Sequence, residues 1–249
     1  MFYSERKVII MTIFRAVKVQ LIIFLCAFAA YEVVSDYDSF FLLALFVSVS
    51  TTVMTDGIIH FAKKKRWILS DSSAITGLII AFVLTSKQPW YLIVIAGVLA
   101  IASKHLIRFK KKHIFNPAAF GILVTTIVLS ATTQWKGTYQ WYILIPVGVY
   151  FIYRIRKMPL LVSYAVTALG IFALQALMQG VRITNIFGYL SYFFIFVMMI
   201  EPKTTPVTSF GKIVFGIIIA LGIFILTEIG APFDVELCSL LIGNVTVPL

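Results

Sequence analysis

The stretch KKKHIFNPAAFG, residues 110–121, holds the side chains of this chain best placed for chemistry. Asn116 stands at the mouth of an apolar segment, where an amide is costly unless partners answer its two donors and its acceptor. Pro117 suits the first turn of a helix, where a missing N–H is no loss. Ala118, Ala119 and Gly121 leave room for a flat ligand or a neighbouring helix to come close. Two uses of Asn116 follow: capping the helix that begins here, or holding a ligand. A second candidate is Asp56 in VMTDGIIHFAKKKR, seven residues before the basic boundary at Lys63, or about 10 Å inside it if helical. An ionisable group at that depth points to cation or proton passage, against the alternative of an ion pair with a nearby Lys, Arg or His60.

Other polar groups are less specific. Thr204, Thr205, Thr208 and Ser209 crowd one loop between Pro202 and Gly211, where hydroxyls and amides suit either an anion or ordinary capping. His60, His105 and His113 fall beside basic loops; two on facing helices would suit a haem, and interfacial imidazoles need no ligand at all. Glu32 and Glu228 lie close to the outer boundary, within reach of water. Cys26 and Cys238 fall in the first and last apolar runs at different depths, as small apolar residues rather than a shared metal site.

The elements that must position these groups are membrane helices. The 249 residues are 61% hydrophobic and 12% charged, with a mean hydropathy of +1.00, too much apolar surface for a protein dissolved in water. Ten apolar runs stand out: about 16–34, 40–62, 72–86, 89–104, 117–134, 140–153, 159–179, 186–200, 212–230 and 235–249. They do not alternate polar with apolar, which excludes a strand barrel. The expected fold is an all-α polytopic bundle of about ten transmembrane helices in one membrane domain over residues 1–249. Alternate connections hold 18 of the 21 Lys and Arg residues, and the others keep Lys87, Lys136 and Arg182 with Asp36, Asp38, Asp234 and Glu236. By the positive-inside bias this is a multi-pass cell-membrane (inner-membrane) protein with both termini cytoplasmic. The net charge of +11 and pI of 9.7 then report orientation, not a nucleic-acid partner. No phosphate loop, dinucleotide fingerprint, CxxC pair or HExxH is present, so energy must come from an ion gradient, a redox cofactor or a partner subunit.

The two halves, about 1–139 and 140–249, each hold five runs, so a repeat between them must be inverted in the membrane. Asn116 in IFNPAAFG and Asn244 in LLIGNVTVP are then symmetry mates. The third run, 72–86, makes only about 22 Å of helix against a hydrocarbon core of roughly 30 Å. Such a helix either tilts little or stops short beside an enclosed site. Asp71-Ser72-Ser73 reads as its N-cap.

The run KKKHIFNPAAFGILV, preceded by SDSSAITGLIIAFVL and PWY, resembles the membrane subunits RnfD and NqrB of the Rnf ferredoxin:NAD oxidoreductase and the sodium-translocating NADH:quinone oxidoreductase. FVMMIEPKTTPVTSFGKIVFG is similar to that family's central TDPVT pattern, and ELCSLLIGNVTVPL to its close. The resemblance spans about residues 50–249. It implies two five-helix inverted repeats, like those of urea transporters, that hold flavin. Asn116 matches the asparagine beside a non-covalent flavin, and His113 replaces a second asparagine three positions earlier. Ser73, Thr76, Gly77, Asn244, Thr204 and Thr205 fall in the motifs that would complete the site.

Two departures matter. The family's covalent FMN sits on the threonine of an SGAT motif in the loop after the fifth span. Here that loop is short, and its nearest string is Ser130-Ala131-Thr132-Thr133, with no glycine in the string and no acidic residue before it, so Thr132 and Thr133 are doubtful FMN carriers. The central motif is altered too, to Ile200-Glu201-Pro202-Lys203-Thr204. The expected function is a membrane electron-transfer subunit, a part of a redox complex and not a stand-alone enzyme. It would bind riboflavin or FMN non-covalently and pass electrons across the membrane, with cation translocation at Asp56 as a coupled activity. The expected partners are other membrane subunits, an extracytoplasmic FMN-binding protein or a quinone, and the lipid bilayer. The alternative is a transporter of a small solute or cation on the same fold without flavin.

Overall fold

The computed structural model describes residues 2–67, 70–110, 112–180, 187–188 and 190–247, with side chains from residue 16 onward except Gln179. Arg182, Lys111 and the start of the eighth expected run lie outside the described residues.

Among the described residues, four helices are long and apolar enough to cross a membrane. They are α1 (Phe2–Asp36, apolar from Ala16), α2 (Ser39–Lys64), α7 (Met158–Gln179) and α8 (Ser209–Glu228). Large apolar side chains such as Val34, Phe46 and Val166 are about two-thirds exposed or more, a surface suited to hydrocarbon and not to water. Between these run shorter apolar helices: α3 (Asp71–Val83), α4 (Trp90–Leu106), α5 (Pro117–Leu129), α6 (Trp141–Arg154) and α9 (Val235–Thr246). The main packing pairs are α2 with α3 and α4, α4 with α5, α7 with α8, and α8 with α9.

The eighth expected span is less regular than expected: among the described residues of 186–200, Phe194–Met198 form a π-helical segment, and Phe193, Phe194, Met198 and Met199 are fully buried. Helix α5 also ends at Leu129, five residues short of the run at 117–134.

Helix α3 is the centre of the molecule, with Ile80 to Leu84 at 0% exposure. Its 13 residues span about 20 Å, so its last carbonyls fall at depth and need partners. The loop after α5 supplies them: Gln134 N donates to Val83 O at 2.8 Å, and Lys136 N to Phe82 O at 2.7 Å. At the other end the N-cap is Ser70, one residue before the expected Asp71. Close approach to α2 is possible because residue 77 is glycine; a Cβ there would collide with Thr52 and the Val49 backbone. Gly77 O accepts from Ser48 Oγ.

A feature not expected from the sequence is a small hairpin after α4: β1 (Arg108–Phe109) pairs antiparallel with β2 (Lys112–His113), Arg108 opposite His113. It turns the chain back so that His113 and Asn116 enter the bundle.

Candidate functional site

Asn116 is 2% exposed and is bonded to protein through its amide oxygen, its amide nitrogen and its backbone N–H. Its Oδ1 accepts from Ala119 N at 3.1 Å, the capping bond of α5, and its Nδ2 donates to Met198 O at 3.2 Å. Its backbone N–H donates to Asn244 Oδ1 at 2.8 Å, and Asn244 Nδ2 donates to Thr204 O at 3.0 Å. Start of α5, end of α9, π-helical segment and the Thr204 loop are thus tied by two buried amides. The capping role is real, and one Nδ2 hydrogen of Asn116 remains beyond the bond to Met198.

Beside this knot lies a cavity of about 490 Å³, lined by Asn116, His113 and Thr76 together with Pro117, Ala118, Ile75 and Phe151. Its rim carries Lys18, Arg108, Lys112 and Lys203, and the carboxylates of Asp71 and Glu201. His113 Nε2 lies 3.3 Å from Glu201 Oε1. Burial first, then the charges of Lys18 and Arg108, holds the Lys203 ammonium below the ordinary lysine value.

The remaining sequence candidates fall elsewhere. Ser73 and Gly77 are not among the residues that line the cavity; Ser73 Oγ donates to Ser70 O at 2.7 Å. Asn244, Thr204 and Thr205 sit behind Asn116: Thr204 Oγ1 donates to Glu201 Oε2 at 3.3 Å and Thr205 Oγ1 to Glu201 O at 2.9 Å. Thr208 caps α8 through Gly211 N. Thr132 and Thr133 are at the opposite end, bonded to Thr85 Oγ1 at 2.9 Å and Asp234 Oδ2 at 3.0 Å. Thr133 lines a second cavity there, of about 1010 Å³, walled by Trp135, Tyr139, Trp141 and Phe233 with Asp234 and Glu236.

Asp56 is fully buried and outside both cavity linings. Lys104 Nζ reaches its two oxygens at 3.2 and 3.3 Å, and His105 Nε2 its Oδ1 at 2.7 Å. Lys104 also donates to Ser70 Oγ at 3.4 Å, and Ser70 Oγ is 3.0 Å from Ser72 Oγ at the cavity wall. The ion pair weighed for Asp56 therefore exists, and a chain of polar atoms leads from it to the cavity. Sequence reasoning missed the rim cations because Lys18, Arg108, Lys112 and Lys203 served there only as orientation signals.

Comparison with curated proteins finds no match. The sequence matches the NQR2, RnfD, RnfE family over residues 5–142. That is more than half of the 249 residues, and the chain, a multi-pass membrane protein of the kind that serves Rnf- and Nqr-type complexes, belongs to this family.

Proposed function

We propose that this chain is a membrane electron-transfer subunit of a redox complex that holds one flavin, non-covalently, in the 490 Å³ cavity. The volume lies within the range of about 300–1,000 Å³ usual for cofactor-sized ligands. The carrying observation is the composition of that cavity: an amide and an imidazole on an apolar wall, beneath a rim of cations. Asn116, with its remaining N–H, His113 and Thr76 would hold the ring edge. Lys18, Arg108, Lys112 and Lys203 would face a phosphate, which favours FMN over riboflavin. Burial, and after it the neighbouring charges, depress Lys203, and an anion beside it would favour its charged form. When bound, a flavin supplies one- and two-electron chemistry, and the protein supplies position and a dry pocket.

What the chain itself adds is a path. Phe151, in the cavity wall, meets Phe24 at 6.1 Å between ring centres; Phe24, Phe28, Phe82 and Phe193 follow at 5.6, 5.3 and 5.0 Å. Phe194, next in sequence, meets Trp135 at 6.0 Å, and Trp135 lines the second cavity. Electrons would leave there to an extracytoplasmic flavin-binding partner or a quinone, with the basic end and both termini in the cytoplasm. The scaffold for this is a pair of inverted repeats, about 1–139 and 140–249. The pairing of α2 with α4 and α4 with α5 in one half, and of α7 with α8 and α8 with α9 in the other, supports it.

The test is pigment. Full-length protein purified in mild detergent with FMN supplied should be yellow. Acid should release the colour, and no fluorescent band should remain on a denaturing gel. Colourless protein would favour the second reading, a small-solute or cation transporter, for which the polar chain from Asp56 to Ser72 is the supporting observation. A fluorescent band at Thr132 or Thr133 would show a covalent flavin instead.

A further inference from the structure

Asp56 and His60 are one helical turn apart on α2, and both face α4 at His105. One ligand atom from each of the three lies within 4.8 Å of the others. His105 Nε2 is 2.7 Å and His60 Nε2 3.9 Å from Asp56 Oδ1. Two bonds of about 2.1 Å at a tetrahedral angle place ligand atoms about 3.4 Å apart, between those two values. Asp56 is completely buried, while the side chains of His105 and His60 are 9% and 20% exposed, leaving the imidazole side as the entry. His60 Nδ1 is buried and has no hydrogen-bond partner, so protein bonds do not fix this ring in another role.

We propose that Asp56, His60 and His105 form a site for a divalent transition-metal ion, and that Lys104 is the competing cation. Two imidazoles and one carboxylate select first-row ions of the zinc, cobalt or iron(II) kind; magnesium and calcium take oxygen ligands throughout. A buried carboxylate needs a compensating charge. Lys104 provides it without metal, sitting 3.2 and 3.3 Å from the two oxygens. Ser70 Oγ, 3.4 Å from the same ammonium, offers it a second partner when an ion takes Oδ1. Ser70 is bonded to Ser72 in the cavity wall, so metal occupancy moves a positive charge toward the cavity. The site does not rest on the flavin reading, since none of its ligands lines that cavity.

The experiment uses the full chain in mild detergent with a tag free of histidine, stripped by chelator and titrated with Co²⁺ alone. Visible absorption reads the coordination, and equilibrium dialysis the stoichiometry. One Co²⁺ per chain is expected, with His60→Gln and His105→Gln each weakening it by at least about 10-fold. Lys104→Met should tighten it by about 10-fold, because it removes the competitor. His60→Gln is the variant least at risk of misfolding, since its ring is the most exposed of the three, and monodisperse elution checks each protein. Absence of stoichiometric binding in both wild type and Lys104→Met would overturn the site. So would Co²⁺ binding that survives in the His60→Gln, His105→Gln double variant. Weaker binding in Lys104→Met would overturn the competition.

Discussion

At one end of the bundle, Lys18, Arg108, Lys112 and Lys203 surround a cavity of about 490 Å³. At the other, a cavity of about 1010 Å³ is walled by Trp and Tyr rings and carries Asp234 and Glu236, with no Lys or Arg among its described lining residues. The two ends also treat a buried lysine in opposite ways. Burial, with Lys212 close by, pushes Lys157 at the basic end down to about 7. Lys136 at the acidic end is raised: burial works against its charge, but hydrogen bonds to Asp36 and Asp38 at 2.8 and 3.1 Å outweigh it. Charge sorting along the bundle is thus more than an address label. It also sets which of these two side chains keeps its proton at neutral pH and above.

The sharpest break would come from topology. In a background lacking Cys26 and Cys238, Tyr37→Cys and Arg156→Cys place thiols on exposed residues at the two ends. An impermeant maleimide added to spheroplasts should label position 37 and leave position 156 unlabelled until the membrane is opened. Labelling of both from the same side would remove the opposition altogether. Next in size, Asn116→Ala should lower flavin content at least about 10-fold and cost about 1 kcal/mol of helix capping. Asp234→Asn, at the other cavity, should leave the bound pigment unchanged. Equal losses in the two variants, read from absorbance per mole of protein, would mean that the pigment does not distinguish the ends.

A smaller effect separates FMN from riboflavin. Lys112→Ala should weaken FMN by roughly 10-fold, the value of one charge-assisted contact, and riboflavin hardly at all. Fluorescence quenching titrations with each flavin measure the difference. A last contrast is between the two lysines. The folded value for Lys157, about 7, lies below the ordinary 10.5, so the unfolded chain binds more protons between those values and stability rises with pH there. The slope is at most about 1.4 kcal/mol per pH unit, and Lys157→Met should flatten it. The raised Lys136 contributes stability that is present below the ordinary lysine value and lost as pH passes its higher folded one. Lys136→Met should cost about 1 kcal/mol or less at neutral pH. Thermal melts of the solubilised variants across pH 6 to 10 read both.

Much of this was legible in the sequence, and the reasons are specific. The long helices α1, α2, α7 and α8 follow from uninterrupted apolar runs between basic clusters, a signal that depends on composition alone. Asn116 before Pro117 announced a helix start, and α5 begins there. The bond between Asn116 and Asn244 could not be read, because 128 residues separate them and only packing brings them together. The run at 186–200 looked like a span since Phe, Tyr and Ile satisfy both hydrocarbon and a protein core. The hairpin Arg108–His113 was invisible for another reason: four-residue pairing leaves no period to detect, and its basic residues read as a loop. Arg108, Lys112 and His113 of this hairpin line the cavity, a placement that the count of basic residues does not announce.

The bond from Asn116 N to Asn244 Oδ1 also has a meaning in time. As the chain is synthesised, α5 enters the membrane long before its partner exists, and its first amide must wait for α9 to arrive. The support behind Asn116 in the basic cavity's wall therefore depends on a contact of high sequence separation, the kind that forms later than local ones. Any cofactor that needs that wall can be retained only by a chain whose two halves have already met.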